Sequence, residues 1–522
     1  MSKRIGTTNF GDVYLEGKRY RSRREWRGVV DTAYDYSRWL VNWCTMFRVV
    51  LSKPRNIKAM FRYRWMANYL AVPMMVDRHT QGLRGEHLRI CHAEQDLIIE
   101  DVAKLLDKLF RGDRRIGNDK EFSEKVVLID ENEMQSIMMG FPTLVPLSRE
   151  IASTYIPVLL NQRAAIHYLD VVQEYGLAGD VCPMPAAEAG VSIDDDAPVL
   201  GKCAVQCNTT CDGSLLGNGV ISKRLELEDG IPVFQLATPL RHLEDDVQEY
   251  AAQEIRNAIA FVEEQTGEKW DWDYYFECAK RVNYATKCRL EWLEMNKTPY
   301  PQVFGSNLAL YTETNYMAIS GRLAVFEKAD RKIMKLAEQA YQKKKIAANE
   351  YRHRAIVWGV QSHYYMDFLV WILNCWGIVP LVDMLSMDNT EMIAEEDTPE
   401  NREQAIYDIA MLTEKMIMRN RTHGGYKVLL NDLWRFVKEF NADMVILWEH
   451  MSCKALDGMH GLFEQQAREL GINLVWVSHD LFDPRVVSRQ GVRDQINNYM
   501  RTVMREEPVD PTLEVLPDGE SW

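Results

Sequence analysis

The densest chemistry in the chain lies between Gly201 and Val220, where Cys203, Cys207 and Cys211 recur every fourth residue in G-K-C-A-V-Q-C-N-T-T-C-D-G-S-L-L-G-N-G-V. Thiolates bind soft metals and iron-sulfur clusters, and they act as nucleophiles where an electropositive setting lowers their pKa. The first part of this stretch reads as a buried strand. At ~3.3 Å per residue a strand sets positions 203 and 207 about 13 Å apart. That is too far for one cluster unless the segment turns, so core packing is the reading for those two thiols. Cys211 differs: Asn208, Thr209 and Thr210 form a loop before it, and Asp212 and Gly213 open a helix after it. A thiol at such a turn faces the N–H groups and positive dipole end of the helix.

Two further cysteines stand at comparable breaks. Cys182 follows Val181 and precedes Pro183 and Pro185, and Cys453 lies in E-H-M-S-C-K after an apolar run. Cys182, Cys211 and Cys453 together could hold three irons of a [4Fe-4S] cluster and leave the fourth open to water or substrate. Spacing alone does not select this set over Cys203, Cys207 and Cys211, and buried structural thiols remain a reading for all of them. Candidate catalytic groups are Glu188 as a base near Cys182, His363 in a loop with Tyr364 and Tyr365, and His450, which with Glu449 precedes Cys453. His479 and Asp480 end another apolar run ahead of Asp483-Pro484-Arg485, read as a helix-capping turn. The sequence contains no Walker A motif, dinucleotide fingerprint or H-E-x-x-H.

These residues must be carried by alternating helices and strands. After Cys211 come a helix, the Asp229-Gly230 break and a strand from Ile231. After Cys453 come a helix to Leu470, Gly471 and a strand over Asn473 to Ser478. The two β-α-β units correspond and suggest duplication, with one thiol beyond the carboxyl end of a strand in each half. Ala355 to Val360 and Ile378 to Met384 are further strands, separated by a helix over Met366 to Trp376. The pattern is α/β with parallel sheets covered on both faces. Long amphipathic helices are expected over Asp245 to Thr266 and Trp272 to Met295, and a solvated connecting helix over Lys328 to Arg354. The acidic run Asp388 to Glu403 reads as a surface loop and the segment after Glu507 as a loose tail. Residues 1–145 read as a helical extension, with periodicity over Trp26 to Val50 and over Asn56 to Val72, where Pro73 stops it. Phe61, Trp65 and Tyr69 are expected to pack, and Cys44 and Cys91 to be buried thiols. The division is 1–145, then 146–327 with Cys182 and Cys211, then 328–522 with Cys453.

The chain has 522 residues, a net charge of −14, 47% apolar and 26% charged residues. That composition supports a large core and excludes wholesale disorder, and the acidic balance argues against general nucleic-acid binding. No window offers about 18 consecutive apolar residues, and Met1 to Tyr20 lacks the apolar segment of a secretory signal. A cytoplasmic protein without membrane contact is expected, so its ten cysteines read as thiols or ligands rather than disulfides.

Thr209-Thr210-Cys211-Asp212-Gly213, Ser452-Cys453-Lys454, Asp483-Pro484-Arg485 and the upstream Asp180-Val181-Cys182, in this order, resemble the 2-hydroxyacyl-CoA dehydratase and benzoyl-CoA reductase superfamily. The resemblance covers roughly residues 146–505. It departs from the family in having Ser214, Leu215 and Leu216 after C-D-G where a basic run is common, and in the additional Cys203 and Cys207. It implies two flavodoxin-like domains behind a mainly helical N-terminal part, and Cys182, Cys211 and Cys453 as ligands of a [4Fe-4S] cluster. It also implies a related sister subunit, a separate ATP-hydrolysing Fe-S activator and an acyl-CoA substrate. The reaction implied is loss of water from a 2-hydroxyacyl-CoA through a ketyl radical after one-electron activation. Reduction of an aromatic acyl-CoA, or a non-catalytic electron relay, are the alternatives within the same resemblance.

Overall fold

The computed structural model describes residues 28–516 apart from 81, 131, 209–210, 238–244, 319, 347–350, 388–390 and 415–424. Trp26, Thr209, Thr210 and Pro517 lie outside the described residues. Among the described residues, eight strands form two sheets: β1 (Val126–Ile129), β2 (Val145–Leu147), β3 (Cys203–Asn208) and β4 (Val233–Ala237) in one, and β5 (His353–Trp358), β6 (Ile378–Asp383), β7 (Met444–His450) and β8 (Asn473–His479) in the other. The strand orders are β2-β1-β3-β4 and β6-β5-β7-β8, and every pairing is parallel. This is the α/β architecture with two parallel-sheet units that the alternating pattern implies.

The strands are apolar on both faces because helices cover both. In β7, Met444 through Trp448 are buried, an unbroken run that an antiparallel, half-solvated sheet would not need. Trp448 packs edge-on to Phe368 and His479, with centroids 4.5 and 4.8 Å away. Burial of such a ring contributes roughly 2–3 kcal/mol. Each sheet reverses its order between its first and third strands, and that switch point, at the carboxyl edge, is where an open parallel sheet binds ligands. Cys211 and Cys453 follow the third strand of their respective sheets, so the duplication suggested by the two β-α-β units extends to strand order.

The N-terminal part is mainly helical, with helices at Val29–Leu51, Pro54–Arg62, Val72–His79 and Gly85–Gly112. The last of these packs against Val29–Leu51 and against the later helices Ser306–Ala318 and Ala324–Gln342. The inner strand β1 lies ahead of residue 146, so the first sheet draws its centre from the first 145 residues. β1 is only four residues long, too short for its period to stand out.

Several local expectations are corrected. Pro73 does not stop a helix; the chain breaks at Tyr63, which is extended, and Pro73 sits in the first turn of Val72–His79, where a missing N–H costs nothing. Trp65 and Tyr69 are buried, but Phe61 is 89% exposed, and Cys44 is exposed while Cys91 is buried. The connecting helix ends at Gln342, and Arg354 lies in β5. It is not simply solvated: Phe326, Ile333, Met334 and Ala337 are buried, and Lys343 and Lys345 hold Glu86 at 2.8 and 2.9 Å. Within the acidic run, Pro399 begins a helix that continues to Glu414. The tail as far as Leu516 is docked rather than loose, because Trp371 Nε1 and Arg493 Nη1 both donate to the Leu513 carbonyl, at 2.8 and 3.0 Å. Among the described residues, no helix is long and apolar enough to cross a membrane.

Candidate functional site

Cys182, Cys211 and Cys453 each occupy the position immediately before a helix: Pro183–Ile193, Asp212–Leu227 and Lys454–Asp457. The Cys211 Sγ accepts a hydrogen bond from the Ser214 amide at 3.3 Å, which is where an N-cap side chain satisfies an orphan donor. Cys453 is fixed by its own backbone, its amide donating to the His450 carbonyl at 2.7 Å. Cys182 comes from the loop after the helix Ile166–Tyr175 and not from a strand end. The fold places the three thiols within electrostatic reach of one another, although they are far apart in the chain.

Two contacts hold the three segments together. Lys454, next to Cys453, reaches Asp212, next to Cys211, at 2.6 Å, and Asp180, ahead of Cys182, at 3.6 Å. These ion pairs are exposed and worth at most about 1 kcal/mol each, so their effect is on position more than on stability. Arg485 makes a bidentate pair with Asp483 and crosses to Asp170 at 2.8 Å. It thereby ties the loop after β8 to the helix that leads into Cys182. The thiols thus sit where the carboxyl edges of the two sheets face each other.

Burial pushes the Cys182 thiol well above its ordinary range, against the Met184 amide, with Cys211, Cys453 and Asp480 adding to the rise. Burial likewise raises Cys453 to about 11, against the Leu456 and Ala455 amides. Thiols so placed keep their protons until a cation displaces them. Among the described residues, no group of three or more His, Cys, Asp or Glu side chains closes around a single metal ion. The three thiols act on one another electrostatically, and thiolate is the donor type that iron-sulfur clusters take.

A family model described as 2-hydroxyglutaryl-CoA dehydratase, D-component, matches residues 145–501, more than half of the chain. The chain belongs to this family. No curated protein matches it in sequence. The D-component match begins at β2, ends beyond the last strand and takes in all three cysteines; it leaves out the N-terminal helices and β1.

The other candidates of this D-component chain are placed less simply. His450, at the end of β7, and His479, at the end of β8, are register partners with rings 5.6 Å apart. Both are buried. His363 is also buried, its ring 4.8 Å from Tyr155 and 5.4 Å from Phe482. Burial drives His363 down to about 3 and His450 to about 4, so both imidazoles are neutral near pH 7 and unable to act there as cationic acids. Glu188 is buried in the helix that Cys182 caps. Cys203 and Cys207 are fully buried in β3, in keeping with core packing, and burial pushes the Cys203 thiol up to about 12. None of the ten cysteines, all among the described residues, is joined in a disulfide. Asp480 emerges as an organiser, accepting from the Phe482 and Asp483 amides at 3.0 and 2.7 Å. Tyr155 and Glu313, which had no signal in the sequence, form a hydrogen bond of 2.7 Å behind His363.

The helices behind Cys182 and Cys211 approach closely through two glycines one turn apart. A Cβ on Gly213 would meet the Cys182 Cβ at 3.1 Å, and one on Gly217 would meet the Pro185 carbonyl oxygen at 2.7 Å. Gly217→Val is therefore expected to lower stability by about 1–3 kcal/mol through overpacking. A Cβ on Gly219, on the same helix, would meet nothing within 4 Å, so Gly219→Ala is expected to be neutral or to stabilise by up to about 1 kcal/mol. Thermal unfolding of the two variants against the parent checks the contrast; equal melting points would show that the helices do not pack at Gly217.

Proposed function

We propose that this chain is the component of a radical 2-hydroxyacyl-CoA dehydratase that holds a [4Fe-4S] cluster on Cys182, Cys211 and Cys453. The observation that carries this reading is that three thiols, each just ahead of a helix, lie within electrostatic reach of one another, with Lys454 bridging Asp180 and Asp212 beside two of them. A cluster held by three thiolates would supply one-electron chemistry and an open iron able to act as a Lewis acid.

The chain's own residues have defined tasks in this scheme. The helix N-termini at Cys182, Cys211 and Cys453 favour thiolate once a cation is present. The buried, neutral His363, His450 and His479 keep the inner wall of the site free of fixed positive charge. Asp480 and the Asp483–Arg485 pair shape the loop that closes one side. A related sister subunit, a separate ATP-hydrolysing Fe-S activator that delivers the electron, and a 2-hydroxyacyl-CoA substrate losing water to give an enoyl-CoA complete the proposal. The division at residues 145/146 and 327/328 is proposed as its domain arrangement, with β1 contributed to the first sheet from the preceding segment.

The test is anaerobic purification followed by iron and sulfide analysis and electron paramagnetic resonance after reduction. About four irons and four sulfides per chain are expected. With the sister subunit and activator present, the mass of the product from a 2-hydroxyacyl-CoA should fall by one water. Iron at background level in the anaerobic protein would overturn the reading.

A further inference from the structure

The helices Val29–Leu51 and Gly85–Gly112, both outside the family match, leave an open cleft of about 490 Å³ along their shared edge. Its wall carries five cations and three carboxylates. Arg38 holds Asp96 at 2.6 Å, Lys53 holds Asp107 at 2.7 Å and Lys104 holds Glu100 at 2.8 Å. Each carboxylate in the wall is therefore paired. Arg48 and Lys108 are the two cations left over, with no ion pair among the described residues.

Lys108 is half-buried, and burial, opposed by Asp101 and helped by Lys104 and Arg322, lowers its ammonium below the ordinary lysine range. A cation so placed is destabilised in the free protein, and an anion in the cleft would offset that cost. Asn42 supplies an independent sign. It is 2% exposed, it lines the same cleft, and its side-chain amide nitrogen has no acceptor. Buried donors in native proteins nearly always meet an acceptor, from the protein, from water or from a bound group. In a chain of net charge −14, a wall with an excess of two positive charges is a local reversal of sign.

We propose that this cleft binds an organic phosphate ester of nucleotide size, with Arg48 and Lys108 on the phosphate and the Asn42 amide nitrogen as a further donor. A phosphate dianion matches the two uncommitted charges, and its oxygens can accept from three donors at once. The volume favours an ester over the free ion. Small-molecule sites run from about 300 to 1,000 Å³, and this cleft leaves room beside a phosphate for a ribose and a base. Val41, Val49 and Ala103 give that part an apolar wall. Cys182, Cys211 and Cys453 do not line the cleft, so its occupation can be read with or without iron in the protein.

The test is calorimetry on the full-length chain at ~0.1 M salt, where long-range attraction is largely screened, with ADP, inorganic phosphate and adenosine as probes. ADP is expected to bind about tenfold tighter than either of the others or more, because adenosine lacks the charge and inorganic phosphate lacks the apolar contact. Arg48→Ala and Lys108→Met are each expected to weaken ADP binding about tenfold or more, the loss of one charge-assisted contact. Lys108→Met is also expected to raise the melting point of the free protein, since it removes a half-buried charge that has no ion pair. Arg48 is exposed, so its replacement does not endanger the fold. Lys269→Ala, a cation outside the cleft, serves as the control and is expected to leave ADP binding unchanged. Inorganic phosphate or adenosine binding as tightly as ADP, ADP binding that either variant retains in full, or no binding of ADP overturns the proposal.

Discussion

Cys211→Ala and Cys453→Ala, purified anaerobically, are each expected to retain less than about a tenth of the parental iron and to lose dehydration activity with it. A cluster bound through three thiolates has no protein ligand in reserve, and loss of one exposes an iron that water and chelators can remove. The change is small in packing terms, since alanine removes a single sulfur, so stability measured before cluster loading should fall by no more than about 1 kcal/mol. Cys203→Ala and Cys207→Ala are the matched controls. Both thiols are fully buried in β3, so their loss is expected to cost about 1–2 kcal/mol of stability and leave iron content unchanged. The opposite pattern, iron lost with Cys203 or Cys207 and kept without Cys211 or Cys453, would move the cluster to the local thiol set. Iron and sulfide assays on the four variants decide between the two.

Asp480→Ala is expected to destabilise the protein by about 2–4 kcal/mol, and Asp480→Asn to restore most of that loss. The Asp480 carboxylate accepts two backbone amides, from Phe482 and Asp483, and lies 3.5 Å from Ser452 Oγ. Alanine leaves two buried donors unsatisfied at about 1–2 kcal/mol each, and it releases the loop that presents Asp483 to Arg485. Asparagine keeps an acceptor oxygen in the same place. The two variants also differ from the parent in pH dependence. Burial raises the folded-state Asp480 to about 6, against the Asp483 and Phe482 amides, whereas an unfolded aspartate titrates near 3.9. The folded state therefore holds the proton longer, and stability falls as pH rises from about 4 to about 6. Asp480→Asn removes that slope. Denaturant unfolding at pH 4.5 and pH 7 reads it, and an unchanged difference between the two pH values would show that Asp480 does not titrate with folding.

Much of the architecture was legible because its signals are local. The apolar runs at Ile356, Leu381, Ile446 and Val475 mark strands buried on both faces, and the alternation with helices implies parallel pairing. The helix starts after Cys211 and Cys453 follow from Asp212-Gly213 and from the end of the β7 run, whereas the helix Pro183–Ile193 after Cys182 was not read from the sequence. The misreadings share one cause, that a residue's neighbours in space override its neighbours in sequence. Phe61 keeps helical spacing with Trp65 and Tyr69, but the break at Tyr63 turns it outward. Lys343 and Lys345 look like solvated charges until Glu86, more than two hundred residues earlier, is seen between them. The tail before Leu516 looks loose because its anchor, the Leu513 carbonyl, is a backbone group that sequence reading does not weigh.

The sequence by itself determined that two β-α-β units carry Cys211 and Cys453 beyond the ends of strands, and that Cys203 and Cys207, four apart in a strand, lie about 13 Å from each other. Those conclusions need only the rise of a strand and the start of a helix. The tertiary structure alone decided that Cys182, on a loop and not on a strand, comes within electrostatic reach of the other two, with Lys454 and Arg485 pairing across the separate segments. It alone placed Glu313 against Tyr155, 158 residues away. Such convergence arises from how helices pack across the switch points of two sheets, and no pattern along the chain encodes the distance between them.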